Sequence, residues 1–274
     1  MGSGPLAGGK LIGEDCSVLP SRVTLAPVRT RPKSTTRASD GAIPLPPGLT
    51  RKFRGRLLRW FAAHGRDLPW RRTSDPYHVL VSEIMLQQTQ VERVRPKYEA
   101  WLAKWPTLEA LASAPLDEVC AEWRPLGYNI RPVRLHSIAR DAMARYGGRL
   151  PDAPEVLLGL PGIGRYTAGA VLSFGFRKDA SILDTNVLRL LHRVFVGPGV
   201  PNGGVPSRQP QVDHAMRRRL WTLSERLLPR GNAFAFNSAL MDFGALVCTA
   251  RKPLCLLCPM NEFCQSHRGA RRST

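Results

Sequence analysis

The chain has 274 residues, 43% of them hydrophobic, with 40 Lys and Arg against 21 Asp and Glu, a formal charge of +19. That length and apolar content can close a full core, as one large domain or two small ones, and so strong a basic excess favours a polyanionic partner, most commonly nucleic acid. There is no run of about eighteen apolar residues and no signal-peptide hydrophobic core, so a membrane protein is excluded and an intracellular one, of cytoplasm or nucleoid, is expected.

Residues 1–46 are rich in Gly, Pro, Ser, Thr and Arg and show no helical or strand period, so a disordered basic tail is expected there, serving as a non-specific tether for DNA. From about 49 the pattern turns helical. Phe53, Leu57, Leu58, Trp60 and Phe61 make an apolar stripe, with Arg51, Lys52, Arg54, Arg56 and Arg59 on the other faces. Asp75-Pro76 opens the next helix, which carries Val79, Leu80, Ile84 and Leu86. Further helices are expected near 92–105, 116–123, 132–146, 154–159, 165–176, 185–196, 210–228 and 232–247, with Gly and Pro at nearly every junction. Gly197 to Pro210 reads as a long surface insertion, and 268–274 as a second basic tail. No run of alternating strands occurs, so the expected fold class is all-α. No long basic helix has the clean apolar face that an anionic membrane would need.

Three stretches carry chemistry. Leu160-Pro161-Gly162-Ile163-Gly164-Arg165-Tyr166 places two glycines between an apolar segment and a small-residue-rich helix, which lets the backbone turn sharply. Amides at such a helix start point along the positive dipole end and can hold a phosphate. Asp184, in Ile182-Leu183-Asp184-Thr185-Asn186, suits a helix N-cap and equally suits a carboxylate facing a reaction centre. Cys248-x6-Cys255-x2-Cys258-x5-Cys264 gathers four thiolates in one loop, a pattern for a metal rather than for a disulfide framework. Four cysteines can hold zinc or a [4Fe–4S] cluster, but a zinc ribbon pairs two Cys-x-x-Cys knuckles and only one is present. Cys16 lies in the tail, and Cys120 reads as an inert core thiol.

The glycine hairpin with a downstream acid resembles the helix-hairpin-helix DNA glycosylase superfamily. The cysteine spacing is similar to the iron–sulfur loop of the endonuclease III and MutY families. Ser82-Glu83-Ile84-Met85-Leu86-Gln87-Gln88-Thr89-Gln90 resembles MutY-type adenine DNA glycosylases almost letter for letter, within a match covering roughly 52–267, and it is also similar to archaeal G·T mismatch thymine glycosylases. The resemblance implies two helical lobes with DNA bound in the cleft between them. One would be a six-helix barrel with the hairpin, over 74–187, and the other an iron–sulfur cluster domain from 47–73 and 188–267.

In that family Glu83 would be the general acid that protonates the departing base, a task needing a raised pKa in a dry pocket. Asp184 would stabilise or trap the sugar cation, much as a retaining glycosidase uses its second carboxylate. Tyr166 stands where endonuclease III has its Schiff-base lysine, which implies base removal without strand cleavage, and its phenol is expected to hydrogen-bond Asp184. Trp70, Arg71 and Ser238 would line the pocket for the extruded base. Leu86, Gln88, Thr89, Asn129, Gly162, Gly164 and Arg165 would contact DNA, and Cys248, Cys255, Cys258 and Cys264 would hold the cluster. The implied partner is double-stranded DNA with a mismatch or lesion, met by a monomer.

Three departures leave the target base open. Ser238 replaces the Gln or Glu usual in adenine glycosylases, and Asn129 replaces a wedge tyrosine. The sequence also ends ten residues after Cys264, without the usual 8-oxoguanine recognition domain, an architecture shared with the thymine mismatch glycosylases, as is Met241-Asp242-Phe243.

Overall fold

The structure, a computed structural model, describes residues 41–197 and 212–272. The expected tail over 1–40, most of the Gly197–Pro210 insertion, Cys16 and the last two residues lie outside the described residues.

The described chain is helical from end to end, with no strand among the described residues. In chain order the helices are α1 (Leu49–His64), α2 (Pro76–Leu86), α3 (Val91–Lys104), α4 (Leu108–Ser113), α5 (Leu116–Trp123), α6 (Ile130–Arg145), α7 (Pro154–Leu158), α8 (Arg165–Ala170), α9 (Thr185–Phe195), α10 (His214–Leu227), α11 (Ala233–Leu246) and α12 (Gln265–Arg272). A π-helical turn at Val171–Gly175 extends α8. Four of the starts, those of α2, α4, α9 and α10, are fixed by short polar side chains that satisfy orphan amides. Asp75 accepts from the Tyr77 amide at 2.8 Å, Thr107 from Ala110 at 3.1 Å and Asp213 from Met216 at 2.6 Å.

Two groups of helices form. In one, α2 packs on α3, α6, α8 and the π turn, while α6 packs on α4 and α5. Its aromatic centre is Trp101, with ring centroids 4.6 Å from Trp105 and 5.3 Å from Trp123. In the other, α11 packs on α1 and α9, and α9 on α10 and α12. There Phe53 meets Phe195 at 5.1 Å, and Trp60 meets Phe243 at 4.9 Å. The two lobes are joined by buried Asn237, whose amide donates to the Ser173 hydroxyl and the Ala180 carbonyl, both at 2.8 Å.

Two helices, α2 and α11, are buried on nearly every side, as expected of segments apolar all round. They are also the two that carry Glu83, Ser238 and Asp242. The fold thus places its pocket-side polar groups where water is scarce.

Two expectations need correction. The stretch just before α1 is not a free tail: Ile43 is buried in the core, and its carbonyl accepts from Arg226 at 2.8 Å. Pro44, Pro46 and Pro47, which follow it, hid that anchor by breaking any period. At the other end, α12 replaces the start of the basic tail at 268. Its sequence holds a single apolar side chain, Ala270, and so offered no apolar stripe to read.

Candidate active site and cysteine loop

A cavity of about 440 Å³ opens between the lobes, lined by Trp70, Glu83, Tyr166, Asp184, Ser238 and Leu86 among others. Leu68-Pro69 leads into a short 3-10 turn, Pro69–Arg71, which sets Trp70 against the Tyr98 ring, centroids 5.5 Å apart.

Glu83 is 4% exposed. Burial raises its pKa from the usual 4.5 to about 7; the Tyr166 hydroxyl donating to it opposes the rise, the Asp184 charge adds to it, and Arg71 opposes it. The group is thus poised to hold and release a proton near neutral pH. The Tyr166 phenol bonds Glu83 rather than Asp184, and burial keeps it protonated by pushing its pKa well up.

Asp184 is both a helix cap and a cavity-lining residue. It caps α9, accepting from the Val187 amide at 2.6 Å, and the same carboxylate lines the cavity. Asn186 donates to its second oxygen at 3.2 Å. Burial raises its pKa, with the Val187 amide and the Asn186 side chain opposing. The Arg189 guanidinium then links this loop to the cysteine loop: it donates to Asn186 Oδ1 at 2.8 Å, to the Gly244 carbonyl at 2.7 Å and to the Cys248 carbonyl at 2.9 Å. Gly244 is required for that approach, since a Cβ there would lie 2.9 Å from the Asn186 Cβ.

Arg71 does not reach freely into the cavity. It forks onto Asp242, Nη1 to Oδ2 at 2.7 Å and Nη2 to Oδ1 at 2.8 Å, and Arg66 joins through its backbone amide at 2.9 Å and its Nε at 2.8 Å. Asp242 is fully buried. Burial alone would raise its pKa, but Arg71 and Arg66 outweigh that and bring it below the usual range. Substituting Asp242→Ala should strand two partly buried cations and lower stability by about 3 kcal/mol, measured by urea unfolding. Asp242 was visible in sequence only as one letter of Met-Asp-Phe; its partners are about 170 residues away, and no local signal could have found them.

Ser238 is buried in the cavity wall, and among the described residues its Oγ has no hydrogen-bond partner. Thr89 and Leu86 line the outer cavity, next to Gln88. Asn129 is half-buried at the start of α6. Gly162 takes φ 78° in the hairpin between α7 and α8, a conformation that favours glycine. Gly164 caps α8 in extended backbone. Arg165 leans over the Trp221 ring at 4.1 Å and pairs with Glu225 at 2.6 Å.

The four loop cysteines converge closely enough for their charges to interact. Burial raises the Cys258 thiol to about 11, and also raises Cys255 and Cys264. Arg193 sits against the loop, donating to the Thr249 carbonyl at 2.7 Å and lying 3.7 Å from Cys248 Sγ. Among the described residues no three such donors close on one metal ion. A single zinc needs every sulfur at about 2.3 Å from one centre, whereas in a polynuclear cluster each thiolate takes its own iron. The all-thiolate donor set can hold an iron–sulfur group.

A two-lobed helical fold, a glycine hairpin and a four-cysteine loop define a helix-hairpin-helix protein with an iron–sulfur motif. Residues 81–203 match the HhH-GPD superfamily of base excision DNA repair proteins, and 248–264 match the iron–sulfur binding domain of endonuclease III. The human adenine DNA glycosylase is 42% identical over 79% of this chain, which spans only 39% of that relative's length. A thymine-DNA glycosylase of Aeropyrum pernix is 39% identical over 79% of the chain and 95% of its own length. The solved structure of a thermostable thymine-DNA glycosylase superposes with a TM-score of 0.71 at 33% identity, over 80% of this chain and 97% of the other. The chain belongs to the HhH-GPD superfamily of base excision DNA repair proteins. No helix among the described residues is long and apolar enough to cross a membrane.

Proposed function

We propose that this protein is a monofunctional DNA glycosylase that hydrolyses the N-glycosidic bond of a mispaired base in duplex DNA, adenine opposite guanine or 8-oxoguanine. The observation that carries this reading is a carboxylic acid of pKa about 7 in the same dry cavity as a second, capped carboxylate.

Protonated Glu83 gives its proton to the base, at N7 of a purine. The bond from the sugar carbon to the base then breaks, its electron pair leaving with the base. The sugar cation that remains faces Asp184, whose charge acts strongly in low dielectric. Water adds to that carbon, and Glu83 takes up the proton released, which restores its starting state. Tyr166 has no amine with which to form a Schiff base, so the product is an abasic site in an unbroken strand. The hairpin at Gly162 and Gly164, Arg165, Leu86, Gln88, Thr89 and Asn129 are assigned to the DNA surface. Trp70, Arg71 and Ser238 are assigned to the base pocket. Cys248, Cys255, Cys258 and Cys264 would hold a [4Fe–4S] cluster, which supplies a structural cross-link here. Absorption at roughly 400 nm, absent from a zinc protein, checks that assignment.

Ser238 favours a second reading. A short hydroxyl with no partner among the described residues is compatible with a pyrimidine pocket, and the Aeropyrum relative, 95% of whose length this chain matches, is a thymine-DNA glycosylase. Single-turnover excision on A·8-oxoguanine, A·G, T·G and U·G duplexes, each followed by alkali, decides. Cleavage at adenine supports the first reading and cleavage at thymine or uracil the second. Intact strands in all four overturn both.

A further inference from the structure

Among the described residues the cavity wall carries three guanidinium groups, Arg66, Arg71 and Arg217, beside the carboxylates of Glu83 and Asp184. Arg66 and Arg71 are both committed to buried Asp242. Arg217 is different. It is exposed, and among the described residues no carboxylate pairs with it. The cations that act on the two cavity acids are Arg71 for Glu83 and Arg189 for Asp184. Nothing inside the protein therefore accounts for a third.

Its placement follows from the register of α10. Positions 217, 220, 221 and 224 share one helical face. Leu220, Trp221 and Ser224 are buried on that face, and the Ser224 hydroxyl donates at 2.9 Å to the carbonyl of Ile182, two residues before Asp184. Arg217 continues the same face two turns, about 10 Å, toward the helix start. There the packed surface gives way to the cavity. The other arginines of α10 lie elsewhere. Arg219 and Arg226 donate to the Gly41 and Ile43 carbonyls, and exposed Arg218 is off the cavity wall.

A nucleotide extruded from a duplex carries its two phosphodiesters with it, and a cavity built around two acids repels them whenever those acids are ionised. A guanidinium on the wall reverses that local field, and its planar fork matches phosphate oxygens. Such a contact forms only once the nucleotide has left the stack. It therefore offsets the unfavourable unstacking, where an ordinary backbone contact tightens binding to every duplex alike.

We infer that Arg217 is the phosphate clamp of the extruded nucleotide, holding a phosphodiester that flanks it at the cavity wall. This rests on the DNA-acting reading above.

The test uses the full chain and a duplex holding a stable abasic-site analogue. Two further duplexes carry an uncharged methylphosphonate in place of the phosphate on the 5′ or the 3′ side of the analogue. Alanine suits a helix interior, and Arg217 has no partner to strand, so Arg217→Ala should fold. It should bind the analogue duplex about tenfold more weakly than wild type and lower the salt slope by about one. On an undamaged duplex it should stay within about twofold of wild type. One of the two neutral linkages should cost wild type the same factor of about ten, and cost Arg217→Ala almost nothing, because the pair can be lost only once. Arg218→Ala should respond to each neutral linkage as wild type does.

Three results would each overturn the inference: equal weakening of Arg217→Ala on analogue and undamaged duplexes, wild-type binding indifferent to both neutral linkages, or the same cost of a neutral linkage with and without Arg217. Excision by a wild-type protein that shows no such coupling would leave the glycosylase reading standing while this inference fails. Coupling in a protein that excises nothing in the duplex panel would do the reverse.

Discussion

Glu83→Gln is expected to abolish excision and at the same time stabilise the protein at alkaline pH. The two effects share one cause. The fold holds the Glu83 carboxyl in a site that disfavours its charge, with a pKa of about 7 against 4.5 in ordinary surroundings. The folded state therefore binds this proton more tightly than the unfolded chain. The favourable contribution is fully present below pH 4.5 and is lost progressively as pH rises to about 7. Above that, burying the anion costs roughly 3–4 kcal/mol, at about 1.4 kcal/mol for each pH unit between 4.5 and about 7.

Glutamine keeps the shape and an oxygen for the Tyr166 hydroxyl, but carries no proton to give and no charge to bury. Urea unfolding at pH 5 and pH 8.5 should show Glu83→Gln gaining on wild type only at the higher pH. Single-turnover excision by wild type should fall as pH rises through about 7, the limb on which the acid is lost. A variant with no stability gain at pH 8.5 would show that the site tolerates the carboxylate, and the pocket would not be the dry one described.

The sequence made the helices legible to within a few residues wherever an apolar period and a polar cap coincided, as at Asp75 and Asp184. It missed α4, six residues long between Thr107 and Ala114, because one and a half turns display too little of a period. Glu83, Tyr166 and Asp184, which the fold brings to one cavity, and the four cysteines stood out as candidates because their local motifs are distinctive. Asp242 and Arg189 did not, since each acts by joining carbonyls or side chains distant in sequence. A lone Arg among 40 Lys and Arg carries no mark of burial.

Asp184→Asn should remove excision while leaving binding to an abasic-analogue duplex within about threefold of wild type. The argument starts from the cap. Asparagine is as good an N-cap as aspartate, so α9 keeps its start through the Val187 amide. The second oxygen is where the variant meets trouble: it accepts from Asn186 Nδ2, and an amide NH₂ placed there would face that donor. Asn186 cannot simply turn over, because its Oδ1 is held by Arg189, which also holds the Cys248 carbonyl. The cost is one mismatched hydrogen bond, about 1 kcal/mol in unfolding experiments. The cost to the reaction is far larger. A full negative charge facing a sugar cation in a closed cavity is worth several kcal/mol, so its loss should slow excision by about a thousandfold or more. Stability and rate thus separate by chemistry: if excision survives in Asp184→Asn, the carboxylate serves only as the cap of α9, and the cation must be met by another group.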